Sequence, residues 1–433
     1  MAARPSTLHP ERSPEEWLGN EIRQWRTLRG YGQDELGERA HLSGDLIGKM
    51  ERGERRCLQH HTKALDAALD TGGALTRSLV LVCMRVDLRS GDDAAVTTTK
   101  APGPQPSAAP SNTSVPVVAP AIPVDPEPGA AVRPGDVAHV QSAAAVLRSW
   151  DNLHGGGGLV RETAVAQLRW AEALTSAPCS SVLRPELLTA ASRLASAAGA
   201  VLLDAAEFAE AGRRLRWATD LAEEAGDWSA RAVSYNLRSR LATWREHYDD
   251  GVTLAELGLV RSDRLSPAER AMLHNAAARG HARLGNRQAA LTAIGRSDEA
   301  YAQLRAAEES RWMTYYDEAQ HHGDTGHAVY DLALAGHAVD DALGRLRTAV
   351  DGHAQPFARS RTFSRTKLAG LLLIMGNPDA ALPEAERAVA EVAQLRSHRA
   401  VRDLQELAKL ARRYEQHARL EGLRIQIAAT VGE

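Results

Sequence analysis

The stretch Gly32–Gly53, GQDELGERAHLSGDLIGKMERG, decides how the N-terminal part of this chain folds. Leu36 and Ala40 share one face of a short helix running from about Gln33 to Ala40. After a turn of about three residues, Ser43 stands at the N-cap of another helix, on which Leu46, Ile47 and Met50 face inward. Arg52-Gly53 stops it. Upstream, Ser13-Pro14-Glu15-Glu16 is a helix start, with Ser at the cap, Pro in the first turn and acids against the dipole. Trp17, Leu18, Ile22, Trp25 and Leu28 follow on one face, and Gly30 ends that helix. Downstream, Leu58, Leu65 and Leu69 mark a fourth helix and Leu75 to Val86 a fifth. Residues 13–88 therefore read as a small five-helix domain.

The arrangement around the turn resembles the phage-repressor-like helix-turn-helix regulators, the xenobiotic-response-element family of bacterial transcription factors. Their pattern is Gln at the start of helix two, Glu-Leu-Ala inside it, Ser before the recognition helix, and Ile-x-x-x-Glu-x-Gly closing it. This chain offers Gln33, Glu35-Leu36-Gly37, His41-Leu42, Ser43, and Ile47 through Glu51 to Gly53. Two positions depart from the pattern. Gly37 replaces a small Ala at the helix contact, at about 1 kcal/mol of local helix stability. His41 replaces the usual turn Gly, so its backbone must take an angle uncommon for a side-chain-bearing residue.

The resemblance implies double-stranded DNA as partner and names a surface for it. Gln33 would hold a phosphate and brace the recognition helix. Ser43, Gly44, Asp45, Gly48 and Lys49 would point into the major groove, Lys49 toward a guanine edge and Asp45 toward a cytosine amine. Arg52, Arg55 and Arg56 would lie near the DNA backbone. The family commonly buries an Arg of helix one against the Glu ending helix three, and Arg26 and Glu51 fill those places. Against this stands the charge balance: residues 11–63 carry as many acidic as basic side chains, and helix-turn-helix folds also serve as protein-docking modules.

At 433 residues the chain is too long for one core. Aromatics make up only 4%, and the abundance of Ala, Leu, Arg and Glu favours helix nearly everywhere, so the expected fold class is all-α. The net charge of −3 confines any nucleic-acid contact to a local surface. Cys57, Cys83 and Cys179 are odd in number and unpatterned, which points to idle or buried thiols in a reducing cytosol. The N-terminus carries Glu and Arg rather than an apolar run, and the apolar run at Leu371–Met375 is too short for a bilayer. A cytoplasmic protein without membrane contact is expected.

Residues 89–135 are rich in Ala, Pro, Thr, Ser and Val, with prolines from Pro102 to Pro134 at a density that forbids helix. A disordered, partly polyproline linker is expected, spanning on the order of 40 Å as a coil.

Residues 136–430 hold an internal repeat. Gly285-Asn286, Gly323-Asp324 and Gly376-Asn377 each follow an apolar helix, and five residues after each Gly stands Ala290, Ala328 or Ala381. Ile294, Leu332 and Ala385, then Ser297, Ala335 and Ala388, continue the pattern. Ala211, Leu215 and Ala218 repeat it, and Gly251, Ala255 and Gly258 give a weaker copy. Such a period means stacked helical hairpins, none able to bury its face alone. The pattern resembles tetratricopeptide repeats: Ala where helix B approaches helix A, Gly in the turn between. The wider gap from Ala328 to Ala381 predicts a lengthened or extra helix there. The resemblance implies a right-handed α-solenoid of about five degenerate pairs. Helices around Val140–Trp150 and Leu159–Leu174 would precede them, joined at Gly155–Gly158 by a hinge-like loop.

Solenoids of this kind bind extended peptides along the concave face. Asn236 and Asn275 fall at one register and would clamp a peptide backbone, with Arg240 one helical turn on to meet a terminal carboxylate. Ordinary interhelical hydrogen bonds are the plainer account of the same residues. Glu318-x-x-His321 has di-iron spacing but no companion helices, so it reads as the end of a helix with His against the dipole. His60-His61 has no further ligand in sight. No metal, cofactor or catalytic constellation is expected. The combined reading is a DNA-binding transcriptional regulator, dimeric, whose repeat domain senses a peptide, small ligand or protein. The rival is a helical-repeat adaptor with a docking helix-turn-helix.

Overall fold

The computed structural model describes residues 14–55, 57–69, 71, 75, 79, 131–305, 309–310, 312–414 and 416–432. They fall into two compact units, one on each side of residues 116 and 117. Among the described residues every regular element is helical.

In the first unit, α1 is Pro14–Leu28, α2 Gln33–Ala40, α3 Gly44–Glu51 and α4 Gln59–Leu69. Leu18, Ile22, Leu36, Ala40, Ile47, Met50, Leu65 and Leu69 are buried in one core, each large aliphatic worth about 1.5–3 kcal/mol. Leu28 departs from its expected place: it is the last residue of α1 and is 73% exposed. Leu58 also lies outside, ahead of α4. Of the expected fifth helix only Leu75 and Leu79 are described, and both are buried. The remainder of that helix, Ser13 and Cys83 lie outside the described residues, as does the expected linker up to residue 130. The linker's expected end is corrected: Val132 is buried in the second unit, and Pro134 opens its first helix, where a missing N–H is harmless.

The turn from α2 to α3 is tight for a stated reason. His41 sits at φ 54°, ψ 39°, and its N–H and that of Leu42 return to the last carbonyls of α2. A Cβ on Gly37 would stand 2.8 Å from the Leu42 carbonyl oxygen and 2.9 Å from the Gly44 nitrogen. Gly37 is thus required by the close approach of the turn, not a defect of the helix. Gly37→Ala, which helix propensity alone makes stabilising, is expected to cost about 1–3 kcal/mol. His41→Gly is expected to gain up to about 1 kcal/mol by removing left-handed strain. Thermal melts of the two variants in opposite directions check both.

In the second unit the helices are α5 Pro134–His154, α6 Leu159–Ser176, α7 Arg184–Asp204, α8 Phe208–Ala225, α9 Trp228–Trp244, α10 Tyr248–Leu259 and α11 Pro267–Arg283. They continue as α12 Arg287–Ala302, α13 Glu318–Ala333, α14 Val339–Gly352, α15 Ala358–Ile374, α16 Pro378–Val392, α17 His398–Ala411 and α18 Ala418–Gly432. From α7 onward, consecutive helices pair as hairpins, and α7, α9, α11, α13, α15 and α17 lie side by side. Ala211, Ala290 and Ala381 are fully buried at the hairpin contacts. The turns before them hold Ala206 at φ 64°, Gly285 at φ 75° and Gly376 at φ 80°, and Glu246 at φ 65° precedes α10. Ala206 and Glu246 accept a left-handed angle that Gly would take without strain, so neither of those two turns carries the glycine that marks the others.

One repeat unit is corrected. Gly323 and Ala328 lie inside α13, so neither marks a turn or a second helix. The turn glycine of that hairpin is Gly336 at φ 80°, followed by an additional left-handed residue, Ala338 at φ 52°. That extra residue moves the buried alanine to Ala342, out of the fixed spacing. The long interval is not an added helix either. From Ala342 to Ala381 the spacing is that of the other repeats, and the extra length falls earlier, in the connection between α12 and α13, which buries Met313 and Tyr316.

α7 is long and apolar enough to cross a membrane by length and composition, but most of it is buried between its neighbours. α5 packs on both α7 and α15, and so joins the beginning of the array to its end. Gly155–Gly158 is not a hinge. Gly156 N–H donates to Asp204 at 2.8 Å, Gly157 N–H to the Arg396 carbonyl at 2.7 Å, and Arg396 N–H to the His154 carbonyl at 2.7 Å.

Candidate nucleic-acid interface and interior cavity

The outer face of α3 is set by what its inner face buries. With Ile47 and Met50 in the core, Asp45 and Lys49 stand outward, and Ser43 accepts the Leu46 N–H at 3.2 Å to cap the helix. Lys49 and Asp45 form an i,i+4 ion pair at 2.8 Å, with both side chains well exposed. Arg52 pairs with Glu54 at 2.8 Å, and Arg39 with Glu35 at 3.2 Å. Surface pairs of this kind are worth about 0–1 kcal/mol, so a phosphate or a guanine edge can replace the carboxylate at little cost. Arg55 is exposed beside them, and Arg56 lies outside the described residues.

Two of the expected DNA-facing positions do other work. Gly48 is buried, and a Cβ there would stand 3.1 Å from Gln33 Oε1 and 3.2 Å from an Arg52 guanidinium nitrogen. It leaves room for those two side chains instead of touching a base. Gly44 is crowded too: a Cβ would strike the Asp34 side chain. Gln33 braces, because its amide nitrogen donates to Glu51 Oε2 at 2.8 Å. The first-turn backbone N–H groups of α2 have no side-chain cap from Gly32, which leaves them open to an acceptor from outside.

Glu51 is fully buried and holds the domain's polar centre. Arg26 meets it with two bonds, 2.6 Å to Oε1 and 3.0 Å to Oε2, and also donates to the Tyr31 carbonyl at 2.8 Å. Arg23 reaches Oε2 at 3.4 Å. Arg23 was missed in the sequence, although a place one turn before Arg26 on the same face of α1 would have suggested it. Gly19 was missed as well. A Cβ there would overlap the Met50 and Glu51 carbonyls, so α1 crosses the end of α3 only over a glycine. Cys57 is buried, and burial pushes its thiol up to about 12, which leaves it inert. His61 accepts the Leu58 N–H at 3.1 Å and so serves the start of α4.

In the second unit the inner helices line a partly open cavity of about 140 Å³, with Asn236 and Arg240 in its wall. Asn275 is not there. Its buried amide faces α13, 3.1 Å from the Asp324 carbonyl and 3.0 Å from the Thr325 nitrogen in the orientation that satisfies both. The expected two-asparagine clamp is therefore not assembled, because α13 covers the second asparagine. Arg240 faces Asp324 at 3.8 Å, a long ion pair. Early and late helices of the array are also tied to one another. Asp151 on α5 pairs with Arg359 on α15, and Asp204 on α7 takes Arg399 Nε at 2.7 Å and Ser397 Oγ at 2.9 Å. An open track for an extended peptide is replaced by a pocket.

The wall includes residues that no spacing in the sequence connects. Trp312, from the connection before α13, has the Arg148 guanidinium 5.0 Å from its ring centre and the Arg193 guanidinium at 4.7 Å. The expected place of Glu318-x-x-His321 is corrected: it starts α13, capped by Asp317, and does not end a helix. His321 stacks on Tyr301 at 4.2 Å and its Nε2 meets Asp298 at 2.8 Å. Burial works to raise Asp298, but hydrogen bonds from His321 and Arg345 hold it below the ordinary carboxylate range. Among the described residues no cluster of three or more His, Cys, Asp or Glu side chains could hold a metal ion.

Burial drives His327 well below the ordinary imidazole value, with Lys367, Arg279 and Arg240 adding to it, and burial also lowers His353. The folded imidazoles stay neutral where unfolded ones, titrating near about 6.5, take up protons. Stability is then complete above that pH and falls as the pH drops toward the folded values. The array is expected to melt lower at pH 5.5 than at 7.5, and His327→Asn to flatten that dependence; an unchanged slope in the variant would place its source elsewhere.

Residues 17–79 match a family model described as a helix-turn-helix domain. The match covers α1 to α4 and reaches Leu79, so the chain is a helix-turn-helix domain followed by a long region of paired helices. DNA is the partner this domain type suggests. No curated protein matches the chain.

Proposed function

We propose that this protein is a sequence-specific transcriptional regulator of the phage-repressor-like kind, controlled by a tetratricopeptide-like sensor. The observation that carries the reading is the outward Asp45–Lys49 face of α3, in a domain matched as helix-turn-helix. Lys49 reads a base edge, Asp45 a second, and Arg52 and Arg55 take phosphates after releasing their surface partners. The regulator binds as a homodimer to two half-sites about one helical turn, or a multiple, apart. An effector in the interior cavity changes the dimer arrangement and so the spacing that can be bridged. On this reading the protein works in the cytoplasm and is not an enzyme.

Selection of bound duplexes from a random DNA pool by the intact chain tests the reading. A paired motif with steep salt dependence is expected. The equal number of acids and bases in residues 11–63 favours the rival, a docking module. That rival predicts no motif, only weak electrostatic retention, and partner binding that salt leaves unchanged.

A further inference from the structure

Five arginines line the interior cavity: Arg148, Arg193, Arg240, Arg359 and Arg399. Four of them have carboxylate partners. Arg359 and Arg399 share Asp151 and Asp204, Arg193 meets Asp227 at 3.3 Å, and Arg240 faces Asp324. Glu269, behind Ser229, is held by that hydroxyl and by the Ser266 N–H in the capping box of α11. Arg148 alone has no carboxylate partner among the described residues. It donates to the Trp312 carbonyl at 3.1 Å and otherwise meets the rings of Trp312 and Tyr315. Burial lowers Arg148 from the ordinary guanidinium value, a penalty that a bound anion relieves.

Other polar atoms of the wall are unsatisfied as well. Ser196 Oγ, His353 Nδ1 and Arg359 Nε are buried without a hydrogen-bond partner, and their residues are 3%, 6% and 7% exposed. Orphaned polar atoms are costly unless something fills the space between them. Part of the wall is apolar, with Ala197, Ala200, Val233, Leu237 and Phe363, beside polar groups such as Asn236, Gln320 and His327. An apolar cavity of about 150 Å³ accommodates benzene, so a space of 140 Å³ takes a body of that order.

We propose that the cavity is the site for one small organic monoacid, its carboxylate on Arg148 and the orphaned donors, its apolar body against Trp312 and Phe363. This deepens the sensor reading given above and rests on it for its regulatory meaning, though not for the binding itself. A single guanidinium without a carboxylate partner among the described residues selects a monoanion over a phosphate dianion, and a volume of about 140 Å³ selects a ring-sized acid over a peptide.

The test is calorimetric titration of the intact chain with benzoate, phenylacetate and hexanoate, each beside its neutral amide, and with inorganic phosphate. At least one acid is expected to bind once per chain, about tenfold or more tighter than its amide. Arg148→Met should weaken that acid about tenfold or more, a charged contact being lost. Ser196→Ala removes an unpartnered hydroxyl, so it should leave the melting temperature unchanged while weakening the acid about threefold or more. The proposal is overturned if no acid binds at millimolar concentration, if amides or phosphate bind as well as the acids, or if Ser196→Ala binds like the parent. DNA affinity is measured separately with and without the acid. Acid binding that leaves DNA affinity unaltered would keep the site and remove the sensor role, and DNA selection judges the regulator on its own.

Discussion

Replacing Asp204 by alanine is expected to cost the helical array about 3–5 kcal/mol, the largest effect of any single change in that unit. Asp204 is fully buried at the last residue of α7, the negative end of a helix dipole, where a carboxylate is unfavourable by itself. Burial would raise it, yet Arg399 and Arg359 hold it down as a carboxylate. It accepts from Arg399, Ser397 and the Gly156 N–H, and so ties α7, the α5–α6 loop and the start of α17 together. Removing it leaves two buried guanidinium groups with one carboxylate, Asp151, between them. Hydrogen exchange should then rise first at residues 155–157 and 396–399, and the proposed acid should no longer bind in the cavity. A melt within about 0.5 kcal/mol of the parent would mean the ring is closed by packing alone.

The second large effect is expected in the first unit. Glu51→Ala removes the acceptor of Arg26, Arg23 and Gln33 at once and should cost about 3 kcal/mol or more. A domain of this size has only a few kcal/mol in hand, so it should be largely unfolded at 37 °C. Amides of residues 33–51 should exchange freely while those of the array keep their protection. Retention of native exchange in α2 and α3 would show that the apolar core of Leu36, Ile47 and Leu65 holds the helices without the buried charge.

How far the sequence could be read depended on whether the determining contacts were local. α2 and α3 were legible to the residue, because Ser43, Gly53 and the Leu36, Ile47, Met50 pattern act within one or two turns. The hairpin repeat was legible where the turn and the buried alanine keep their five-residue distance, and it failed at α13–α14, where Ala338 adds one residue. Closure of the array was not legible. It depends on pairs such as Asp151 with Arg359 and Arg148 with Trp312, which no periodicity joins. The peptide groove was inferred from one face of single helices, and only the packing of α5 on α15 and of α13 over Asn275 turns that face into a cavity. Gly48 belonged to the predicted DNA face by position, but the side chains of Gln33 and Arg52 cover it.

The central claim is that the outer face of α3 reads DNA sequence, and Lys49 tests it with least disturbance, since its partner is the exposed Asp45 across one helical turn. The measurement is genome-wide recovery of DNA bound by the intact protein, repeated with Lys49→Ala. The account predicts enrichment of a shared, roughly symmetric motif that the variant loses while its unfolding free energy stays within about 0.5 kcal/mol of the parent. Equal recovery by parent and variant, or no motif with either, would contradict it.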